Sequence, residues 1–256
     1  MQSIYAFLLD VYDILIFHKN KKFSENSARI IGVPNEKNSV IKAAEILRNN
    51  FDMPLPHVEI IKQIPIEAGL GGGSSDCACF VNAVFDIWNF SRQAKLKYIK
   101  LFESLGADAC VFLHKYFLNI NFVYIAGNGI EGVIESINIP DLNNCYLLIV
   151  NNNLELSTKK VFENYSKDFK EKINKNEINF NIITPIENSL EQSAVELEPN
   201  ISKILEDIEK TQLISFGVSG SGPTCFGIFS SEEYAIKAKS SLDQKYNFVK
   251  LSKISM

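Results

Sequence analysis

Apolar and polar residues follow two different periods along the first half of the chain. Short apolar runs predict strands at Ile4–Leu9 and Ile14–Phe17, which a turn joins, and also at Val58–Ile64 and Phe117–Ile125. Apolar residues spaced three and four apart predict helices at Glu36–Asn50, Ser75–Phe90 and Lys95–Leu105. The residues expected to face the core are Val40, Ala43, Ala44 and Leu47 in the first helix, and Phe80, Ala83, Val84, Ile87 and Trp88 in the second.

The second half of the chain repeats this mixture after a polar, proline-containing segment at Pro140–Asn144. Strands are predicted at Cys145–Val150, Ile214–Val218, Thr224–Phe229 and Phe248–Leu251, and helices at Ile201–Lys210 and Glu232–Leu242. Lys167–Asn181 is rich in Lys, Glu and Asn, which is typical of a mobile helix or a long surface loop. The pattern therefore predicts an α+β protein with two domains, residues 1–142 and 143–256.

Composition narrows the classes of function. The chain has 256 residues and a net charge of −4, which gives no indication of a nucleic-acid-binding surface. It has no apolar run of the ~18 residues that a membrane span needs and no basic leader, so we expect a cytoplasmic protein. Its five cysteines form no C-x-x-C pair and are expected to be buried thiols. Its three histidines are interpreted as too scattered for a metal cluster.

The most informative segment is Ile64–Asp76, a strand end followed by four glycines in five positions, two serines and an amphipathic helix. Glycines let backbone N–H groups approach anionic oxygens, and a helix N-terminus adds further donors. Ser74 or Ser75 could cap the helix or offer a hydroxyl to phosphate or Mg²⁺. The loop lacks the lysine of a Walker A motif, and Ser74 breaks a dinucleotide fingerprint. The alternative is a plain glycine-rich turn with a serine cap.

Two other segments carry candidate chemistry. Asp108 stands among apolar residues in Leu105–Phe112, just after the predicted helix stop. It could be a helix N-cap, or a carboxylate that orients or deprotonates an alcohol. Phe216–Thr224 is a second glycine-rich loop between predicted strands, and taken alone it indicates a tight hairpin.

Together, these three segments resemble the GHMP kinases, a superfamily of small-molecule kinases. Leu9–Asp13, Glu36–Val40 and Asn188–Glu191 are also similar to segments of that family, so the resemblance runs over nearly the whole chain. It implies a two-domain α+β fold with an N-terminal ATP-binding domain and a C-terminal α+β domain. It also implies ATP and Mg²⁺ as cofactors, a small-molecule substrate, and a monomer or homodimer without nucleic-acid or membrane partners.

The order of the motifs is most similar to the branch that phosphorylates the 2-hydroxyl of a diphosphocytidyl-methylerythritol in non-mevalonate isoprenoid synthesis. The resemblance implies that Asp108 is the catalytic residue and that Asn38 lies near the adenine. It implies an ATP loop made of Pro65, Ile66, Glu67, Ala68, Gly69, Leu70, Gly71, Gly72, Gly73, Ser74 and Ser75. Ser74 or Ser75 would contact Mg²⁺, and Gly220, Ser221, Gly222 and Thr224 would close the substrate site.

One departure from the family lies at the start of the chain. The family's first strand and hairpin carry a Lys-x-Asn string whose lysine pairs with the catalytic aspartate, and Met1 coincides with the residue after that hairpin. We therefore expect these residues upstream of Met1, and weak activity in their absence. The alternatives are another GHMP kinase or a nucleotide-binding chain that is inactive because it lacks this lysine.

Overall fold

The computed structural model describes residues 2–8, 10–118, 122–126, 133–136, 142, 144–168 and 188–254. The chain divides into two compact units. The first comprises Met1–Phe7, Tyr12–Gln63 and Gly71–Ile137, and the second comprises Leu8–Val11, Ile64–Leu70 and Asn138–Met256. Both units mix helices with antiparallel sheets, so the predicted α+β class is confirmed.

The first unit contains five strands and four α-helices among its described residues. In chain order they are β1 (Gln2–Ala6), β2 (Ile14–Lys22), α1 (Ser39–Asn50), β3 (Pro56–Ile61), α2 (Gly72–Ile87), α3 (Arg92–Tyr98), α4 (Ala107–Leu118), β4 (Phe122–Ala126) and β5 (Val133–Ser136). The strands form two antiparallel sheets, one with the order β1-β4-β5 and one with β2 beside β3. The two strands predicted at the start of the chain therefore lie in different sheets.

The second unit is built on one antiparallel sheet in the order β7-β8-β6-β9. Its elements are β6 (Tyr146–Asn151), α5 (Thr158–Asp168), α6 (Glu191–Leu197), α7 (Asn200–Glu209), β7 (Ser215–Val218), β8 (Cys225–Phe229), α8 (Glu232–Leu242) and β9 (Phe248–Lys253). Apolar residues of β6 and β8 pack with α7 and α8 into the core of this unit. Most of Lys167–Asn181 and of Pro140–Asn144 lies outside the described residues.

The core of the first unit forms around α2, whose Phe80, Val84 and Phe85 are completely buried. The helical spacing in α1 is confirmed, because all four residues assigned to its core face are buried. The assignment was wrong for Ile87, the last residue of α2, which is 51% exposed. Phe85, which was not assigned to the core face, is completely buried beside Val84.

Two predicted boundaries were also wrong. The helix predicted at Lys95–Leu105 is α3 followed by a 3₁₀ segment, Ile99–Leu105, which Gly106 ends with a φ of 105°. Phe117 belongs to α4 rather than to a strand, because the apolar run there continues the helical spacing of α4.

In the part of the chain that the structure describes, no helix is long and apolar enough to cross a membrane.

Candidate active site

The helix α2 begins directly at the glycine-rich segment. Gly71 is its N-cap residue and has a left-handed φ of 66°, which glycine adopts without strain. The first intrahelical bond is donated by the Ser75 N–H to the Gly71 carbonyl at 2.8 Å. The N–H groups of the preceding residues therefore have no acceptor within the helix and lie at the positive end of its dipole. Ser74 and Ser75 lie inside the first turn, so neither caps the helix, which was one of the two roles that the sequence left open for them.

Asp108 lies in the first turn of α4 and not at its N-cap, since the helix already begins at Ala107. The hydroxyl of Tyr5, on β1, donates a hydrogen bond of 2.6 Å to Asp108 Oδ1. Burial, and then the negative charge of Asp108, raise the pKa of Tyr5 above its ordinary value. The phenol therefore keeps its proton at neutral pH and acts as a donor to the carboxylate.

A second pair of side chains fixes β1 against α4. The rings of Phe7 and Phe112 lie with their centroids 5.3 Å apart, at an angle of 60°. Tyr5 and Phe7 are two residues apart on a strand, and Asp108 and Phe112 are four residues apart on a helix. Both spacings span about 6 to 7 Å along the element, so the two contacts can form side by side.

The ring of Phe112 also packs α4 against the start of α2. A Cβ on Gly71 would lie 2.9 Å from the ring of Phe112, so only glycine fits there without movement of the ring. Because Asp108 and Phe112 are four residues apart, they share one face of α4. The carboxylate thus stands one helical turn from the side chain that covers the N-terminal glycine of α2.

A buried ion cluster forms around Asp76, which follows the first turn of α2. Lys62 Nζ donates to Asp76 Oδ2 at 2.8 Å and also forms an ion pair with Asp13. The side chains of Asp13 and Asp76 are 1% and 3% exposed, and Asp13 Oδ1 also accepts from the Gln63 N–H at 2.6 Å. Burial raises the pKa of Asp76 to about 6, an effect that Lys62 opposes and Asp13 reinforces. Two acids share one lysine, so the cluster has a net negative charge when all three groups are ionised.

The donor set at the start of α2 fits a nucleotide phosphate. Its N–H groups point out of a helix N-terminus, and the residue that caps the helix has no side chain to occupy the space. The Ser75 hydroxyl hydrogen-bonds to Tyr116 and keeps lone pairs with which it could contact a metal ion. A magnesium ligand at Ser74 or Ser75 stays a prediction.

The first half of the glycine-rich segment belongs to the second unit, where it packs on the Phe216–Thr224 loop. This loop joins β7 to β8, which pair in antiparallel fashion, so the predicted hairpin is confirmed. Gly69 has a φ of 71°, and a Cβ there would lie 2.3 Å from the Gly222 carbonyl oxygen. The Ser219 hydroxyl donates to the Gly69 carbonyl at 3.1 Å, and the Thr224 N–H donates to the Ala68 carbonyl at 3.3 Å.

Side chains of the second unit hold this hairpin loop in place. Thr224 is completely buried and accepts a 2.9 Å hydrogen bond from Asn151, and Ser221 bonds to Thr158 at 2.9 Å. Asn188 donates to the carbonyls of Val218 and Gly220 at 2.8 and 2.7 Å. Contact of Gly220, Ser221, Gly222 or Thr224 with a substrate stays a prediction.

Asn38 has a well-defined role within the first unit. It is the N-cap of α1, where its Oδ1 accepts from the Val40 N–H at 3.0 Å. Its Nδ2 donates to the Ala28 carbonyl at 2.7 Å, and the residue is 2% exposed. The side chain thus orders the start of α1, and its predicted position near an adenine is untested.

The sequence patterns missed three features of the site. Tyr5 lies in an apolar run, where nothing marks it as a partner of an acid 103 residues away. Lys62 belongs to none of the sequence motifs, yet it pairs with two buried carboxylates. The interpretation of the histidines as scattered was wrong for two of them, since β2 and β3 place His18 directly opposite His57.

Comparisons with known proteins agree on one family. Residues 38–116 match the GHMP kinases N terminal domain, and residues 163–247 match the GHMP kinases C terminal domain. A 4-diphosphocytidyl-2-C-methyl-D-erythritol kinase of Thermoanaerobacter pseudethanolicus is 31% identical over 99% of this chain and 86% of its own length. The kinase of the same name from Clostridium tetani is 31% identical over 96% of this chain and 88% of its own.

A solved structure shows the same fold. The crystal structure of a 4-(cytidine 5'-diphospho)-2C-methyl-D-erythritol kinase matches with a TM-score of 0.73 and 22% sequence identity. The match covers 100% of this chain and 90% of that one.

Proposed function

Because this chain belongs to the 4-diphosphocytidyl-2-C-methyl-D-erythritol kinase family of GHMP kinases, we propose that it transfers the γ-phosphoryl group of ATP to the 2-hydroxyl of that substrate. The observation that carries the proposal is the arrangement of α4 against the start of α2. Phe112 contacts Gly71, and Asp108 lies one turn away on the same helix. A candidate base thus lies close to a candidate phosphate site, within one unit of the chain.

The start of α2 supplies the electrostatic part of the reaction. Phosphoryl transfer depends mainly on positioning and on stabilising the charge of the equatorial oxygens, and little covalent chemistry is left to the protein. The N–H groups after Gly71 are fixed by the helix and need no rearrangement to meet those oxygens. Mg²⁺, when bound with ATP, neutralises part of the phosphate charge.

Asp108 supplies the proton acceptor. The 2-hydroxyl loses its proton as its oxygen bonds to phosphorus, and a carboxylate within hydrogen-bond reach can orient this hydroxyl and accept that proton. Tyr5 occupies Oδ1 of Asp108 and holds the carboxylate in one orientation. The second oxygen of the carboxylate is the one that we assign to the substrate hydroxyl.

A coupled kinase assay with ATP, Mg²⁺ and the diphosphocytidyl substrate tests the proposal, together with ATP titration. Asp108→Asn should lower kcat by about 10²–10⁴-fold with little change in ATP affinity, because general-base catalysis contributes on that scale. Asp52→Asn removes an exposed carboxylate of the same unit and should leave kcat unchanged. ATP binding by the wild-type chain without any turnover would contradict the proposed reaction. Equal kcat in Asp108→Asn and the wild type would contradict the role of Asp108.

A further inference from the structure

The outward face of the β2–β3 sheet carries two histidines and a glutamate that the proposed reaction does not use. Leu15 and Phe17 of β2 and Val58 and Ile60 of β3 pack on the core. The alternation of a strand therefore places His18, His57 and Glu59 on the opposite face. His18 and His57 are direct partners in the antiparallel register, with ring centroids 5.1 Å apart.

The three side chains converge on one point. Glu59 Oε1 lies 2.9 Å from His18 Nε2 and 3.8 Å from His57 Nε2, and the possible donor atoms all lie within 4.8 Å of one another. Zinc ligands at about 2.0–2.1 Å in tetrahedral geometry are separated by about 3.3–3.4 Å. The two distances to Glu59 lie on either side of that spacing, so small side-chain rotations would bring the three atoms to a common metal.

A second observation also indicates a ligand at this point. His18 Nε2 is shielded from solvent, and within the described part of the chain it has no partner that meets hydrogen-bond geometry, despite its approach to Glu59. A shielded polar atom without such a partner is rare in folded proteins and requires an explanation. An imidazole lone pair beside a carboxylate oxygen is relieved by a cation between them.

His57 is held by a partner behind it. Its Nδ1 lies 2.7 Å from the hydroxyl of Ser27, which is 1% exposed and also accepts a 2.9 Å hydrogen bond from the Ser24 N–H. When Nδ1 donates its proton to this hydroxyl, Nε2 carries the lone pair and faces Glu59. Metal-binding histidines are typically oriented by such a bond from their second nitrogen.

We propose that His18, His57 and Glu59 bind a divalent first-row transition metal of the Zn²⁺ type. Two imidazoles and one carboxylate form a ligand set that zinc accepts, and water would take the fourth position. The ligands come from two strands that are separated by α1 in the chain, so the metal would tie β2 to β3. This inference is independent of the proposed kinase reaction.

Calorimetric titration of the full chain with Zn²⁺, after chelator treatment and in excess Mg²⁺, tests the site. We expect one Zn²⁺ per chain, and a loss of affinity of at least about tenfold in His18→Gln, His57→Gln and Glu59→Gln. Glu59 is 54% exposed, so its amide variant tests the site without disturbing the core. His114→Gln is the matched control, because the third histidine lies on α4 with its Nδ1 beside the Cys110 carbonyl.

Thermal unfolding gives a second readout. Zn²⁺ should raise the Tm of the wild type and of His114→Gln, and at the same concentration should raise the Tm of Glu59→Gln by a smaller amount. The proposal is overturned if the wild type binds no Zn²⁺, or if all three ligand variants keep the Zn²⁺ affinity of the wild type. It is also overturned if Cys79→Ser, which removes the only thiol among the five that is not buried, abolishes the binding.

Discussion

The ion cluster of Lys62, Asp13 and Asp76 makes the stability of the first unit depend on pH. Asp76 has an ordinary pKa of 3.8, which rises to about 6 in the folded protein because the side chain is buried. The folded state therefore holds this proton more tightly than the unfolded chain does. Between about pH 4 and pH 6 the unfolded state binds fewer protons, so the free energy of unfolding falls as pH rises through this range.

The magnitude follows from the size of the shift. A change of about two pKa units at 1.36 kcal/mol per unit corresponds to about 3 kcal/mol, which is lost from stability between pH 4 and pH 7. Asp76→Asn removes this titration and leaves Lys62 with one acid, Asp13, in place of two. The stability of the variant relative to the wild type should therefore increase by about 3 kcal/mol from pH 4 to pH 7.

Urea unfolding at a series of pH values, followed by the fluorescence of Trp88, measures this difference. Trp88 is the only tryptophan of the chain and lies in the core of the first unit, so its signal reports that unit. Asp52→Asn serves as the control, and its stability should run parallel to the wild type over this pH range. A difference between Asp76→Asn and the wild type that stays flat, or that decreases as pH rises, would refute the reasoning.

Three further substitutions test particular contacts. Tyr5→Phe removes the hydrogen bond to Asp108, and a hydrogen bond to a charged group is worth about 1.5 kcal/mol. The variant should therefore lower kcat about tenfold in the kinase assay without changing ATP affinity. An unchanged kcat would exclude a positioning role for Tyr5. Gly69→Ala forces a Cβ to 2.3 Å from a carbonyl oxygen, so urea unfolding should show a second unit that is unfolded or strongly destabilised. Gly32→Ala is the control: it has open space around it and should lower the free energy of unfolding by only about 1 kcal/mol. Phe85→Ala should cost about 3–5 kcal/mol of unfolding free energy, and Ile87→Ala on the same helix under about 0.5 kcal/mol; similar costs would contradict the burial described for α2.

The local structure of this chain follows closely from its residue pattern. The apolar spacing in α1 and the glycine after the 3₁₀ segment both act within a few residues, so they could be interpreted without the fold. The glycine-rich segment was likewise identified as the start of a helix, although the helix begins at Gly72 rather than at the serines. The error arose because serine is the commoner N-cap, whereas here the N-cap is a left-handed glycine, which has no side chain to accept from the first N–H groups.

The sequence by itself determined where the glycine-rich segment lies and what it is similar to. Its glycines, its position before an amphipathic helix and its likeness to GHMP kinases can all be identified from neighbouring residues. Only the tertiary structure decided which distant side chains serve the site. Tyr5 meets Asp108, Lys62 joins Asp13 to Asp76, and His18 faces His57, in each case because strand register or helix packing brings them together. The physical reason is that such contacts depend on which surfaces pack in three dimensions, and spacing along one segment carries no record of a partner tens of residues away.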